Sequence, residues 1–126
     1  MGRDAPVGWI REVVMNSPEP WELALFWSRL LGGTPVEWYP GWVTLEPPPH
    51  GQRLSFQRST EPHGSSCPVH FDVLVEDLDR AHEQVLDSGG TFVREQVSPR
   101  PAATGQPVPW RVYEDPDGHP FCLVLR

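Results

Sequence analysis

Glu12 and His70 are the residues whose type and placement point most directly to chemistry. The chain repeats its organisation with an offset of about 57 or 58 residues, which lays Glu12 over His70, Glu19 over Asp77 and Gly33 over Gly90. Both Glu12 and His70 lie in strand-like runs that open their half of the chain. A carboxylate beside an imidazole stabilises the charged ring and orients it, which suits general acid or base work. The plainer alternative is a half-buried histidine hydrogen-bonded to Glu12 for structural reasons alone. Cys122 stands between Phe121 and Leu123, where a thiol is more often a small hydrophobe than a nucleophile. Cys67, beside Pro68, reads as a linker residue. His119 follows Gly118 in a turn, where its side chain either caps the turn or meets solvent. His50 and His63 lie among Pro and Gly breakers and read as exposed, and His82 falls on the edge of a helix. There is no His-Glu-x-x-His and no Cys-x-x-Cys pattern in the chain.

The six tryptophans speak to ligand shape rather than to reaction. Trp27 belongs to a helical core stripe, whereas Trp38, Trp42 and Trp110 fall on strands or strand edges. There, broad aromatic faces line a cleft and hold a flat or apolar compound. Arg53, Ser55 and Gln57 share strand parity, so they occupy one face of a regular strand. Gln57 and nearby arginines are then placed to orient a ligand's polar groups. Arg111 is either an acid-binding group or, as its acidic surroundings favour, a paired surface residue.

Two similar sets of elements must position these groups. In the first half, a strand is expected over residues 9–15, a helix over 20–31, and strands over 36–39, 42–46 and 53–58. The helix is marked by Leu23, Ala24, Trp27, Leu30 and Leu31 at three-and-four spacing, by Pro20 near its start with Glu19 at its positive end, and by Gly32-Gly33 at its stop. In the second half, a strand over 69–75 leads to a helix over 77–88 with Asp77 as N-cap and Gly89-Gly90 after it. Leu78, Ala81, Val85 and Leu86 face the sheet in this reading. Strands over 91–95, 110–114 and 121–125 follow. The Pro-rich stretch 98–109 is too long for a simple hairpin and reads as an ordered loop over a pocket or a disordered insertion. The fold class is thus α+β, with two βαβββ modules in a single domain over 1–126: module one about 7–59, linker about 60–67, and module two about 68–126. Pairing two such modules buries faces that neither can bury alone, and leaves a cleft in a mixed sheet.

Composition narrows the classes further. A chain of 126 residues is one domain's worth of sequence, and its 16 prolines exclude a continuous helical bundle. No apolar stretch is long enough to span a membrane, and the first residues lack the basic-then-apolar pattern of an export signal, so a cytoplasmic location is expected. The formal charge of -7 and the absence of any Arg run disfavour nucleic acid and anionic membrane as partners. All ten basic residues are arginine, which excludes a Schiff-base lysine and a P-loop lysine. Two cysteines do not make a disulfide scaffold.

The chain resembles the vicinal oxygen chelate superfamily, whose relatives include glyoxalases, bleomycin-resistance proteins and extradiol dioxygenases, and in particular the small glyoxalase-like domains of actinobacteria. The resemblance rests on Glu19-Pro20 through Phe26-Trp27, Leu31-Gly32, Gly41-Trp42-Val43-Thr44-Leu45, Leu54-Ser55-Phe56-Gln57, Val69-His70-Phe71-Asp72 with Asp77-Leu78, and Asp115-Pro116-Asp117-Gly118-His119-Pro120-Phe121. Together these span nearly the whole chain. Metalloenzymes of that superfamily place a ligand, chiefly histidine or glutamate, on the first and last strand of each module. The resemblance carries those positions to Glu12, Gln57, His70 and Cys122. Only Glu12 and His70 offer donors of the family type. An amide and a thiol in the other two places weigh against an oxygen-rich divalent-metal site, so a metal cofactor is disfavoured though left open.

Three functions follow from this combination. The first is a small glyoxalase-like protein, a homodimer by resemblance, that binds a small organic molecule in an aromatic-lined cleft formed with Gln57, Trp38, Trp42, Trp110, Cys122 and Arg53. Its catalytic version is a metal-independent lyase or isomerase using Glu12 and His70; whether it is an enzyme stays open. The second is a noncatalytic antibiotic- or metabolite-binding protein of the bleomycin-resistance type. The third is a divalent-metal-dependent lyase or dioxygenase.

Overall fold

The computed structural model describes residues 11–60, 70–97 and 109–125. The chain divides into two compact units, Met1–Thr60 and Glu61–Arg126. In the first, β1 (Val13–Ser17) leads into α1 (Pro20–Leu31), followed by β2 (Thr34–Tyr39), β3 (Trp42–Glu46), a short 3-10 turn and β4 (Leu54–Arg58). The sheet order is β1-β4-β3-β2, with β1 parallel to β4 and the remaining pairs antiparallel. The second unit repeats the plan with β5 (Phe71–Val75), α2 (Leu78–Asp87), β6 (Thr91–Val97), β7 (Pro109–Glu114) and β8 (Pro120–Leu125). Its order is β5-β8-β7-β6, again with one parallel pair, β5 with β8. The architecture is therefore α+β, made of two βαβββ sets with a four-stranded mixed sheet each.

Local sequence explains the first helix well. Ser17 Oγ accepts from the Glu19 backbone N–H at 3.0 Å, Pro20 takes the first helical position, Glu22 lies in the first turn and Arg29 in the last. Leu23, Ala24, Phe26 and Trp27 are buried, and α1 lies over all four strands of its sheet. The side chains of Met15, Val43, Leu45, Leu54 and Phe56 are buried with them. The stop requires glycine: Gly33 has φ +81°, and a Cβ there would stand 3.0 Å from the Pro47 carbonyl oxygen and 3.2 Å from Leu45 Cβ. In α2, Asp77 Oδ1 accepts from the Arg80 backbone N–H at 3.1 Å, the N-cap expected from the sequence. Ala81 and Val85 are buried, but Leu86 is 42% exposed and does not face the sheet.

Several bounds differ from the sequence expectation. The first strand begins at Val13 and runs to Ser17, while Trp9 and Ile10 lie outside the described residues. In β2 the strand starts at Thr34 and includes Pro35, tolerated because β2 is an edge strand paired only with β3. β6 continues to Val97, two residues past expectation. Cys67, His63 and nearly all of the 98–109 stretch lie outside the described residues. No helix among the described residues is long and apolar enough to cross a membrane.

His119 does not meet solvent. It is 7% exposed, with Nδ1 2.8 Å from Asp115 Oδ2, and its backbone N–H donates to Asp115 Oδ1 at 2.9 Å. Asp117 N–H donates to that same Oδ1, so the Asp-Pro-Asp-Gly-His turn is organised around one buried carboxylate.

Candidate ligand-binding site

Alternation along the strands of the first unit sorts side chains onto two faces. Val13, Met15, Val43, Leu45, Leu54 and Phe56 share the face covered by α1. Glu12, Asn16, Trp42, Thr44, Arg53, Ser55 and Gln57 occupy the opposite one. At its centre, Ser55 Oγ donates to Glu12 Oε1 at 2.6 Å, and Thr44 Oγ1 lies 2.8 Å from Ser55 Oγ. The single hydroxyl proton of Ser55 goes to the carboxylate, so Thr44 donates to Ser55. Thr44 and Ser55 are fully buried, which fixes the Glu12 carboxylate through a hydroxyl chain rather than leaving it to solvent.

Arg53 adds a second constraint. Its guanidinium lies 3.7 Å from Glu12 Oε1, 3.7 Å from Glu46 Oε1 and 5.7 Å from the centroid of the Trp38 ring. Tyr39 and Trp42 stack at 5.8 Å between centroids and 18° between planes. The register shifts between Glu37 and Tyr39, a bulge that breaks strict alternation. That shift lets the consecutive residues Trp38 and Tyr39 line one cavity. The cavity is about 470 Å³, walled by Arg11, Glu12, Trp38, Tyr39, Trp42 and Arg53. Tyr39 and Trp42 also wall an adjoining cavity of about 370 Å³, which Gln57 and Arg58 line as well. Gln57 Nε2 donates to Asn16 Oδ1 at 3.0 Å.

In the second unit, β5 and β8 bring His70, Asp72 and Cys122 together. His70 Nε2 is 3.4 Å from Asp72 Oδ1, and one donor atom from each of the three lies within 4.8 Å of the others. Burial pushes the Cys122 thiol above its ordinary pKa, the Asp72 carboxylate adds to that, and Arg94 opposes it. Trp110 is half-buried on β7, opposite Val124 of β8. Arg111 is consumed elsewhere: it donates to Asp79 at 2.9 Å, to Glu95 at 3.0 Å and to the Leu78 carbonyl at 3.3 Å. Its pKa is raised, chiefly by Asp79.

Of the residues singled out in the sequence, Glu12, Arg53, Trp38 and Trp42 therefore share one cavity, and Gln57 lines the adjoining one. His70 and Cys122 share a cluster in the other unit, with Trp110 on that unit's β7. The strand register adds a distinction that sequence alignment of the halves does not show. Val13 stands opposite Leu54, and Phe71 opposite Phe121, so the counterpart of Cys122 is Ser55 and the counterpart of Gln57 is Val124. Thr44, Tyr39, Arg11 and Asp72 were not among the expected site residues. Asp72 and Ser55 were detectable by parity with His70 and Gln57; Tyr39 was not, because a bulge leaves no composition signal.

The superfamily resemblance implies a metal, and the first unit does not suit one. Glu12 already accepts from Ser55 and lies beside Arg53, with Arg11 Nε 4.0 Å away, so a dication there would meet two guanidinium groups. In the second unit His70, Asp72 and Cys122 offer a nitrogen, an oxygen and a sulfur donor that would hold one.

Comparison with known proteins agrees with the architecture. A family model for the glyoxalase-like domain matches residues 12–124. No curated protein sequence matches. Among solved structures, a glyoxalase/bleomycin resistance protein/dioxygenase family enzyme from Burkholderia phytofirmans is 14% identical with TM-score 0.70, the match covering 91% of this chain and 96% of that one. A mutant of the fosfomycin resistance protein FosX from Listeria monocytogenes, complexed with Mn(II) and 1S,2S-dihydroxypropylphosphonic acid, is 12% identical with TM-score 0.72, covering 94% and 90%. A hypothetical protein from S. aureus is 15% identical with TM-score 0.71, covering 100% of both chains. At these identities the structures speak to fold alone, while the family model spans nearly the whole chain: this protein belongs to the glyoxalase-like domain family of the vicinal oxygen chelate superfamily.

Proposed function

We propose that this protein binds a small, flat organic acid on the face of its first sheet that lies opposite α1. The observation that carries the reading is the composition of the 470 Å³ cavity: three aromatic side chains, two guanidinium groups and one carboxylate. Flat aromatic walls favour a planar apolar body. Arg53 is balanced by Glu12 and Glu46, whereas Arg11 is 82% exposed and reaches Glu12 only at 4.0 Å, so it supplies charge for an anionic group. The anionic phosphonic acid held by the fosfomycin resistance relative is a precedent for ligand charge within the same fold. Calorimetric titration with 2-naphthoate and with the neutral 2-naphthalenemethanol tests the reading. The acid should bind at least about tenfold more tightly and lose that preference in Arg11→Ala. Equal affinity for the two compounds would sink it.

A metal-free lyase or isomerase is the second reading, favoured by the Thr44–Ser55–Glu12 chain, which aims a fixed carboxylate at the cavity. In it Glu12 takes a proton from the bound molecule and returns it at another atom, and Gln57 orients the substrate. A homodimer located in the cytoplasm completes the proposal, and light scattering at several protein concentrations reads the assembly.

A further inference from the structure

We propose that the cavity at the β2–β3 hairpin is a second binding site, one for a zwitterionic ligand of the aromatic α-amino acid class. It shares Tyr39 and Trp42 with the acid-binding cavity beside it, but Arg11, Glu12 and Arg53 line only the first cavity, and Glu37, Gln57 and Arg58 only the second. The inference therefore does not rest on acid binding in the first cavity. Strand pairing brings opposite charges to the hairpin. Glu37 stands opposite Val43, and Val43 opposite Phe56, so Glu37 starts from the face covered by α1. Arg58 follows Phe56 by two residues on β4 and starts from that same face. Trp42 pairs with Gln57 on the other face. The cavity thus draws its charges from one face of the sheet and its indole and amide groups from the other.

The turn makes room for the cation. Gly41 has φ +85°, and a Cβ on it would stand 3.3 Å from Arg58 Cβ and 3.7 Å from Arg58 Nε. The Gly41 carbonyl accepts from the Arg58 backbone N–H at 2.8 Å, which fixes the root of the arginine side chain against the hairpin. Gln57 is held as well, through its donation to Asn16 Oδ1 at 3.0 Å.

Charge selects the ligand. Among the described residues, neither Glu37 nor Arg58 makes a side-chain ion pair or hydrogen bond. Arg53 in the first cavity differs, since Glu12 and Glu46 both stand beside it. A carboxylate and a guanidinium that line one cavity of about 370 Å³ without pairing leave both charges to a ligand. An α-amino acid carries the complementary pair on a single carbon: its carboxylate accepts from the Arg58 guanidinium, and its ammonium donates to Glu37. A purely anionic ligand would meet the Glu37 carboxylate and a purely cationic one the Arg58 guanidinium, so the pair selects against each. The stacked rings of Tyr39 and Trp42, 5.8 Å between centroids, supply the aromatic surface for a flat side chain.

Calorimetric titration of the full chain with L-tryptophan, with indole-3-propionate, which lacks the ammonium, and with tryptamine, which lacks the carboxylate, tests the site. L-Tryptophan should bind at least about tenfold more tightly than either. Arg58→Ala should lower its affinity to that of tryptamine, and Glu37→Gln to that of indole-3-propionate. Circular dichroism confirms that each variant is folded. Equal affinity for the three compounds would overturn the proposal. So would L-tryptophan binding that Arg11→Ala weakens and Arg58→Ala does not, because the amino acid would then occupy the first cavity. Tight L-tryptophan binding with no binding of 2-naphthoate would instead refute the acid reading and leave this site standing.

Discussion

Replacing Ser55 by alanine breaks both links of the hydroxyl chain that holds Glu12. The Glu12 carboxylate loses a donor at 2.6 Å, and the Thr44 hydroxyl loses its acceptor at 2.8 Å in a place with no solvent access. A hydrogen bond to a charged group contributes about 1.5–3 kcal/mol, and a stranded buried hydroxyl costs about 1–3 kcal/mol. Arg53 at 3.7 Å keeps part of the carboxylate's compensation, so the loss should fall near 2–4 kcal/mol. The double variant Thr44→Val, Ser55→Ala removes the stranded hydroxyl and should recover about 1 kcal/mol or more of that loss. Urea unfolding followed by tryptophan fluorescence is the suitable assay, because Trp21, Trp27, Trp38 and Trp42 all lie in the unit that contains Ser55. A single variant within about 0.5 kcal/mol of the parent, or a double variant less stable than the single, would refute the reasoning.

Other predictions follow from the same geometry. Trp42→Ala removes the stacking partner of Tyr39 and should weaken 2-naphthoate about tenfold or more by calorimetry, with Trp110→Ala as the comparison that should not. Gly33→Ala should cost about 2 kcal/mol or more in the same unfolding assay, since it forces a Cβ to 3.0 Å from a carbonyl oxygen at φ +81°. The Cys122 thiol is raised in pKa by burial, so it stays protonated in the folded state where an unfolded thiol has begun to ionise. Stability from this group is complete below the unfolded pKa of about 8.5 and falls as pH rises through the folded value. Metal-free Cys67→Ser protein should therefore react slowly with iodoacetamide at pH 8, and a rate matching an exposed thiol would contradict that.

The helix over Pro20–Leu31 was readable to the residue because its proline, apolar spacing and paired glycines all agree. So was Trp42–Glu46, bounded by Pro40-Gly41 on one side and Pro47 on the other. The start of β1 was less clear, since Trp9 and Ile10 have the same β-branched and aromatic character as Val13 and Val14 and nothing local separates them. Leu86 was misplaced because a ten-residue helix with few apolar positions leaves the edge of its stripe undefined. At the site, side-chain parity put Arg53, Ser55 and Gln57 on one face. What parity does not encode is the strand register, which matches Cys122 with Ser55, or the bulge that brings Trp38 and Tyr39 to one wall. Both depend on how strands pair over long sequence separations rather than on any local pattern.

The most direct test of ligand binding on the first sheet is the indole N–H spectrum of isotopically labelled protein titrated with 2-naphthoate. Trp38 and Trp42 should shift saturably with a single dissociation constant, while Trp27, a fully buried residue of α1, stays in place. Saturable binding that leaves Trp38 and Trp42 unmoved would contradict the account.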